Sequence, residues 1–232
     1  MDFIFMLTRQ DQTVLDGLEV MKEIRGVGLR HVGFKDVGVD KQTLHAINRA
    51  VKDAGATSYM EVVSTSVEAA VHSAKVAAEI GIDRLLGGAN AREIMAAIKG
   101  SPVAYYPFPG KPVGHPTKLG GSPTSVADDC RRFLEMGCAG VDLLAYRATE
   151  ADPIDLVKAA RQGLGGAGTL ICAGSVDSPA RIQALKAAGC DAFTIGSAAF
   201  DGSFSPRKGR LTSQLRDILA ACRPTWSLGP SI

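Results

Sequence analysis

Short apolar runs alternate with amphipathic stretches along the whole chain. Eight runs, bounded by Gly, Pro or polar residues, have the length and composition of buried parallel strands: Phe3–Leu7, Arg30–Lys35, Thr57–Val63, Arg84–Leu86, Val103–Tyr106, Val141–Ala145, Thr169–Cys172 and Ala192–Ile195. Between them, apolar positions recur with a helical period. Val14–Ile24 would gather Val14, Leu15, Leu18, Met21 and Ile24 on one face. The same periodicity predicts helices over Thr43–Ala54, Val67–Ile80, Ala91–Ile98, Ser125–Met136, Ile154–Gln162, Pro179–Ala188 and Leu211–Ala221. Gly55, Gly81, Gly137 and Gly189 stand just past four of these segments, where a left-handed residue closes a helix and turns the chain toward the next strand.

Eight strands alternating with about eight helices predict an α/β fold: a single-domain (β/α)8 TIM barrel. The rival, an open doubly wound sheet, usually opens on a Gly-rich first turn, and here the first strand runs into Thr8-Arg9-Gln10-Asp11 instead. The barrel should span residues 1–222, with 223–232 as a Pro/Ser/Gly-rich tail. The segment Pro107–Ser125 breaks the rhythm, and a loop of that length in a compact domain is usually functional or disordered.

Composition narrows the function. The chain has 232 residues and a net charge of +2 from 26 basic and 24 acidic side chains, so it carries no global field for nucleic acid or an anionic membrane. Any anion must be gripped locally. No run approaches the 18 apolar residues of a membrane span, and the start lacks a basic segment and a long apolar core, so the expected location is the cytoplasm. Five scattered cysteines (Cys130, Cys138, Cys172, Cys190, Cys222) without a CxxC pair read as reduced, buried thiols. No two of the four histidines share metal-ligand spacing, so no metal and no cofactor is expected.

The strongest local signal lies near the end of the chain. Strand seven runs into Gly174-Ser175 and strand eight into Gly196-Ser197. Each pair joins a glycine, which lets backbone approach a ligand, to a serine hydroxyl. In barrels these two loops, with a short helix such as Ser197–Phe200, commonly form a phosphate site.

The two segments Ala173–Ser178 and Gly189–Ala198 resemble the ribulose-phosphate-binding barrel group, which includes phosphoribosyl isomerases, pentulose-phosphate epimerase and sugar-acid phosphate decarboxylases. The match covers about the last quarter of the chain, and the barrel rhythm nearly all of it. The resemblance implies that Gly174, Ser175, Gly196 and Ser197 hold a substrate phosphate. As a whole the chain also resembles barrels labelled 4-hydroxythreonine-4-phosphate dehydrogenase, yet it has no Gly-x-Gly-x-x-Gly turn for a dinucleotide and no histidine set for metal-assisted dehydrogenation. Where the histidine-pathway isomerases carry an aspartate at the end of strand one, this chain has Thr8 and Arg9, with Asp11 further along. It also lacks the Asp-x-Lys-x-x-Asp spacing of the decarboxylases. The phosphate grip therefore transfers from the resemblance; the reaction does not.

Catalytic candidates belong at the C-terminal ends of the earlier strands. Lys35 ends strand two, where burial would lower its pKa and fit it for Schiff-base or base chemistry. Asp36 beside it could orient it, if the strand ends between the two. Glu61 is the one carboxylate in the apolar strand three, and Lys35 is its expected mate. The pair could do acid–base work or serve as a structural ion pair. Strand six supplies Asp142 as a second acid–base group and Arg147 as an anion clamp; a bend at the rim is needed to bring both inward. His115, in the Pro- and Gly-rich segment 107–125, would ride on a lid over the barrel mouth, imidazole being suited to proton transfer near neutral pH. A surface turn is the plainer alternative.

These residues predict an enzyme that acts on a small phosphorylated sugar or sugar acid by proton abstraction next to a carbonyl, giving isomerisation, epimerisation or aldol-type cleavage. The alternatives are a non-catalytic phosphometabolite-binding protein and a dehydrogenase of the kind just named. The expected partner is a small phosphorylated substrate, with no nucleic acid and no membrane. Barrels of this kind often pair, so a homodimer is the assembly to look for, with Trp226 of the tail as an interface residue.

Overall fold

The computed structural model describes residues 1–64 and 66–223; residues 224–232, Trp226 among them, lie outside the described residues. Eight parallel strands alternate with helices around the chain: β1 Asp2–Met6, β2 His31–Lys35, β3 Thr57–Val62, β4 Arg84–Gly87, β5 Ala104–Tyr106, β6 Gly140–Leu143, β7 Thr169–Cys172 and β8 Ala192–Ile195. They form one sheet in the order β6-β7-β8-β1-β2-β3-β4-β5. The two ends meet through backbone bonds from the Ala139 and Asp142 N–H groups to the carbonyls of Tyr105 (2.9 Å) and Pro107 (3.0 Å), which closes the predicted TIM barrel.

Alternation along the strands sorts side chains into two cores. Ile4, Met6, Tyr59, Leu86, Tyr106 and Ile171 fill the barrel interior, while Phe5, Phe34, Met60, Leu85, Val141 and Phe193 face outward to the helices. Each such fully buried side chain contributes roughly 1.5–3 kcal/mol. At the N-terminal end the interior is plugged by polar groups: the Arg84 guanidinium stacks over Tyr59 and Tyr106, and the Tyr59 hydroxyl lies 3.1 Å from His31 Nδ1. Burial pushes the Tyr59 phenol up to about 12.

The helices start and stop where side-chain chemistry dictates. Asp40, Ser66, Ser122, Asp152 and Ser178 each accept a backbone N–H from the first turn of the following helix. Pro123, Pro153 and Pro179 occupy first-turn positions, where no N–H is needed. Gly81 closes Val67–Ile80 in the left-handed region (φ +75°), and Gly55, Gly137 and Gly189 also take positive φ. The first helix is shorter than its apolar pattern implies, Gly17–Ile24, which leaves Leu15 outside it and exposed.

Two small antiparallel hairpins stand on the C-terminal mouth of the barrel. One pairs Thr8–Arg9 with Gln12–Thr13; the other pairs Lys111–Val113 with Lys118–Gly120. The segment 107–125 is therefore not one irregular loop. Its hairpin is tied down by the Leu119 carbonyl, which accepts the Thr149 N–H at 2.9 Å, and by Leu119 itself, which is buried in the outer core.

Candidate active site

The register of β2 and β3 sets Lys35 directly beside Glu61, both facing inward, and the ammonium lies 3.1 Å from Glu61 Oε1. A second carboxylate, Asp11 Oδ1, sits closer still at 2.7 Å. Asp11 reaches this position because the hairpin after β1 turns on two residues, Gln10 (φ +48°) and Asp11 (φ +63°), in the left-handed conformation that a two-residue hairpin with the correct twist requires. Asp tolerates that region better than most residues. Thr13 then fastens the hairpin to the strand beneath: its hydroxyl accepts the Lys35 N–H and donates to the Lys35 carbonyl, both at 2.8 Å. The distance of Asp11 from the strand end in sequence hides its role; the informative signal is the polar turn Arg9-Gln10-Asp11-Gln12.

The neighbouring charges set the direction in which Lys35 and Asp11 are shifted. Burial works against the Lys35 ammonium, but Glu61 and Asp11 outweigh it and raise its pKa. This corrects the expectation of a lowered, nucleophilic amine. Burial likewise works against the Asp11 carboxylate, yet hydrogen bonds and charge from Arg147 and Lys35 hold it well below the usual carboxylate range.

Strand β6 ends at Leu143, and a short 3-10 turn over Ala145–Arg147 supplies the rim bend needed to point both Asp142 and Arg147 inward. Arg147 is not a free clamp. Its guanidinium grips both oxygens of Asp11 at 3.0 Å each and donates to the Thr117 carbonyl at 3.3 Å. Gly174 makes room for it: a Cβ there would lie 2.4 Å from Arg147 Nε. Asp142 is fully buried with neither carboxylate oxygen hydrogen-bonded. Burial first, then the nearby Glu61 carboxylate, raises its pKa well above the usual value despite Lys35 and Arg147. It does not line the cavity itself.

Above these groups opens a cavity of about 340 Å³. Lys35, Glu61, Asp11 and Arg147 line its inner end; Gly174, Ser175, Gly196 and Ser197 line the other. Ser175 adopts φ +57° after Gly174 at +76°, so the loop after β7 holds a non-glycine residue in a strained region beside the cavity. Gly196 packs tightly against the hairpin after β1, where a Cβ would meet Thr8 Oγ1 at 2.4 Å. The amides of Ser175, Val176, Ser197 and Ala198, all cavity-lining residues, donate to no protein acceptor among the described residues.

Two sequence candidates fall elsewhere. Strand β2 does end at Lys35, but the Asp36 N–H still donates to the Glu61 carbonyl (3.1 Å) and prolongs the ladder by one residue, so the Asp36 side chain turns away from Lys35. Its carboxylate accepts the Val63 N–H (3.1 Å) and the Ser64 hydroxyl (3.2 Å), outside the cavity. His115 stands exposed at the tip of the second hairpin, and among the described residues that hairpin hydrogen-bonds to the site through the Thr117 carbonyl. Cys172 is buried on the strand-seven end, with its thiol pushed up by burial, and does not line the cavity. Among the described residues, no group of three or more His, Cys, Asp and Glu side chains is arranged to hold a metal ion, and no helix is long and apolar enough to cross a membrane.

No protein-family model and no curated protein matches this chain. Solved structures do. The chain is similar to orotidine 5'-phosphate decarboxylase from Pyrococcus horikoshii OT3 (13% identity, TM-score 0.68, 96% of this chain and 99% of that one). It is also similar to a structure described as native KDPGal (17%, TM-score 0.66, 96% and 92%). A third similar structure is a mandelate oxidase mutant with an FMN adduct (12%, TM-score 0.63, 95% and 71%). At such identities the likeness speaks to the fold, a TIM barrel shared with enzymes of differing chemistry.

Proposed function

We propose that this protein is an enzyme acting on a small phosphorylated sugar or sugar acid through proton abstraction next to a carbonyl. The observation that carries the reading is one cavity with two unlike ends: four unpartnered amides with two serine hydroxyls at one, and the Lys35–Glu61 pair at the other. Free amides at a glycine-rich turn suit the oxygens of a phosphate and need no net cation. The likeness to a decarboxylase whose name includes a 5'-phosphate, at 13% identity, is consistent with that reading and adds only the fold.

At the inner end, Glu61 would take the proton from the carbon beside the carbonyl. The Lys35 ammonium would donate a hydrogen bond to the carbonyl oxygen and hold the charge of the enolate that forms. Isomerisation, epimerisation and aldol-type cleavage all pass through such an enolate. An amine kept protonated by two carboxylates is a poor nucleophile, which favours this acid–base route over a Schiff base. Asp11 fixes the ammonium, and Arg147 fixes Asp11. Asp142, fully buried near Glu61, has no hydrogen-bond partner on either oxygen, and burial with the neighbouring carboxylate favours its neutral form. The reading includes a cytoplasmic location, no cofactor, no nucleic-acid or membrane partner, and a homodimer as the assembly to test.

The test is solvent exchange. Incubation with three- to six-carbon aldose and ketose phosphates in D2O should replace the hydrogen beside the carbonyl of at least one of them, followed by proton NMR. Glu61→Gln should slow that exchange roughly 100-fold or more. Exchange unaffected by both Glu61→Gln and Lys35→Met would exclude these roles.

A further inference from the structure

The charges around the cavity bear on the head group of the substrate, an inference that rests on the phosphate reading above. At the inner end, two cations face two carboxylates and cancel. Lys35 is shared between Asp11 and Glu61, and Arg147 closes a two-pronged pair on Asp11. The remaining contact of Arg147 goes to the Thr117 carbonyl. Near Glu61, Lys35 and Arg147 lies Asp142, another carboxyl with no donor on either oxygen. At the outer end, the two carboxylates that line the cavity are also matched: Asp177 with Arg181 at 2.8 Å and Asp201 with Arg9 at 3.9 Å. Among the described residues lining the cavity, no cation is left over.

A site so balanced can accept one anion where uncharged amides are free, at the strand-seven and strand-eight loops. It offers no free cation to a second. A carboxylate entering the inner end would meet Glu61 and Asp11 in a space largely shielded from water, where like charges repel strongly, and would have to pull Arg147 or Lys35 away from its partner. A carbonyl and hydroxyls meet the reverse situation: Lys35 can donate to the carbonyl while the Asp11 and Glu61 oxygens accept from hydroxyls. We infer that the ligand is a phosphate monoester whose far end is an uncharged hydroxy-carbonyl group, a sugar phosphate rather than a sugar-acid phosphate. Discrimination is built by repulsion from the paired carboxylates as much as by attraction.

Calorimetric titration of the full chain with matched ligands tests this. Erythritol 4-phosphate is compared with erythronate 4-phosphate, sorbitol 6-phosphate with 6-phosphogluconate, and inorganic phosphate serves as the common reference. The expected result is at least tenfold tighter binding of the alcohol member of each pair. Asp11→Asn removes one carboxylate and frees the charge of Arg147, so it should narrow or reverse the preference. Equal affinity within about threefold, or tighter binding of the carboxylate members, would overturn the inference while leaving the phosphate reading intact. An unchanged preference in a folded Asp11→Asn variant would also overturn it. Failure of every phosphate compound to bind, inorganic phosphate included, would overturn the phosphate reading and the inference with it.

Discussion

A carboxyl group sealed inside a barrel with no donor on either oxygen is cheaper to keep protonated than charged, and Asp142 is such a group. Its folded pKa stands above the unfolded value of about 3.9. The stability it contributes is therefore complete below pH 4 and is lost as pH rises toward the folded pKa. Asp142→Asn keeps the shape and removes the titration, so it should raise the melting temperature at pH 7–8, with the gain shrinking toward zero near pH 4. Melting curves across that range check it; a variant less stable than wild type at pH 8 would mean that Asp142 is ionised and paired. At this scale the sequence was legible where neighbouring strands decide the contact. Lys35 and Glu61 meet because β2 and β3 run in parallel register, and the pairing follows from two strand-end polar residues in apolar runs. The direction of the Lys35 shift was not legible, because Glu61 is joined in raising it by a second carboxylate, Asp11, which reaches the site only through two left-handed residues. Asp36 illustrates the opposite case: adjacency to Lys35 in sequence puts it on the other face.

The element that assembles the inner end is the six-residue hairpin Thr8–Thr13, and its hold on the barrel is Thr13. Replacing the hydroxyl by a methyl in Thr13→Val would leave the Lys35 N–H and carbonyl without this partner in a buried setting. The variant should lose roughly 1–3 kcal/mol of stability. Urea denaturation would register that as a lower midpoint, and amide hydrogen exchange at Lys35 should accelerate; an unchanged midpoint would show that the hairpin is held elsewhere. Most elements were readable from periodicity because each buries one face. Strands β7 and β8 and the helices Val67–Ile80 and Leu211–Ala221 fall on the residues predicted. What periodicity could not show is pairing among polar residues. The hairpin over 111–120 has one buried apolar side chain, Leu119, to betray it, and both mouth hairpins are joined through Arg147, which contacts Asp11 in one and the Thr117 carbonyl in the other.

For the whole molecule, eight apolar runs separated by helical patterns were sufficient for a barrel, because parallel strands need crossover helices and eight close on themselves. The closure itself, two backbone bonds between β5 and β6 and the segments beside them, leaves no trace in the sequence. The barrel brings loops distant in the chain to one mouth, and the reading of that mouth as a phosphate-handling site is the central claim. The most direct measurement is thermal unfolding with sugar phosphates and, beside each, the same sugar without its phosphate. A ligand at about a hundredfold excess over its Kd should raise the melting temperature by roughly 5–10 °C for a chain of this size. The rise should require the phosphate and vanish in Ser197→Asp, which sets a carboxylate among the free amides. No phosphate-dependent rise across the panel, or one that survives in Ser197→Asp, would contradict the assignment of the strand-seven and strand-eight loops.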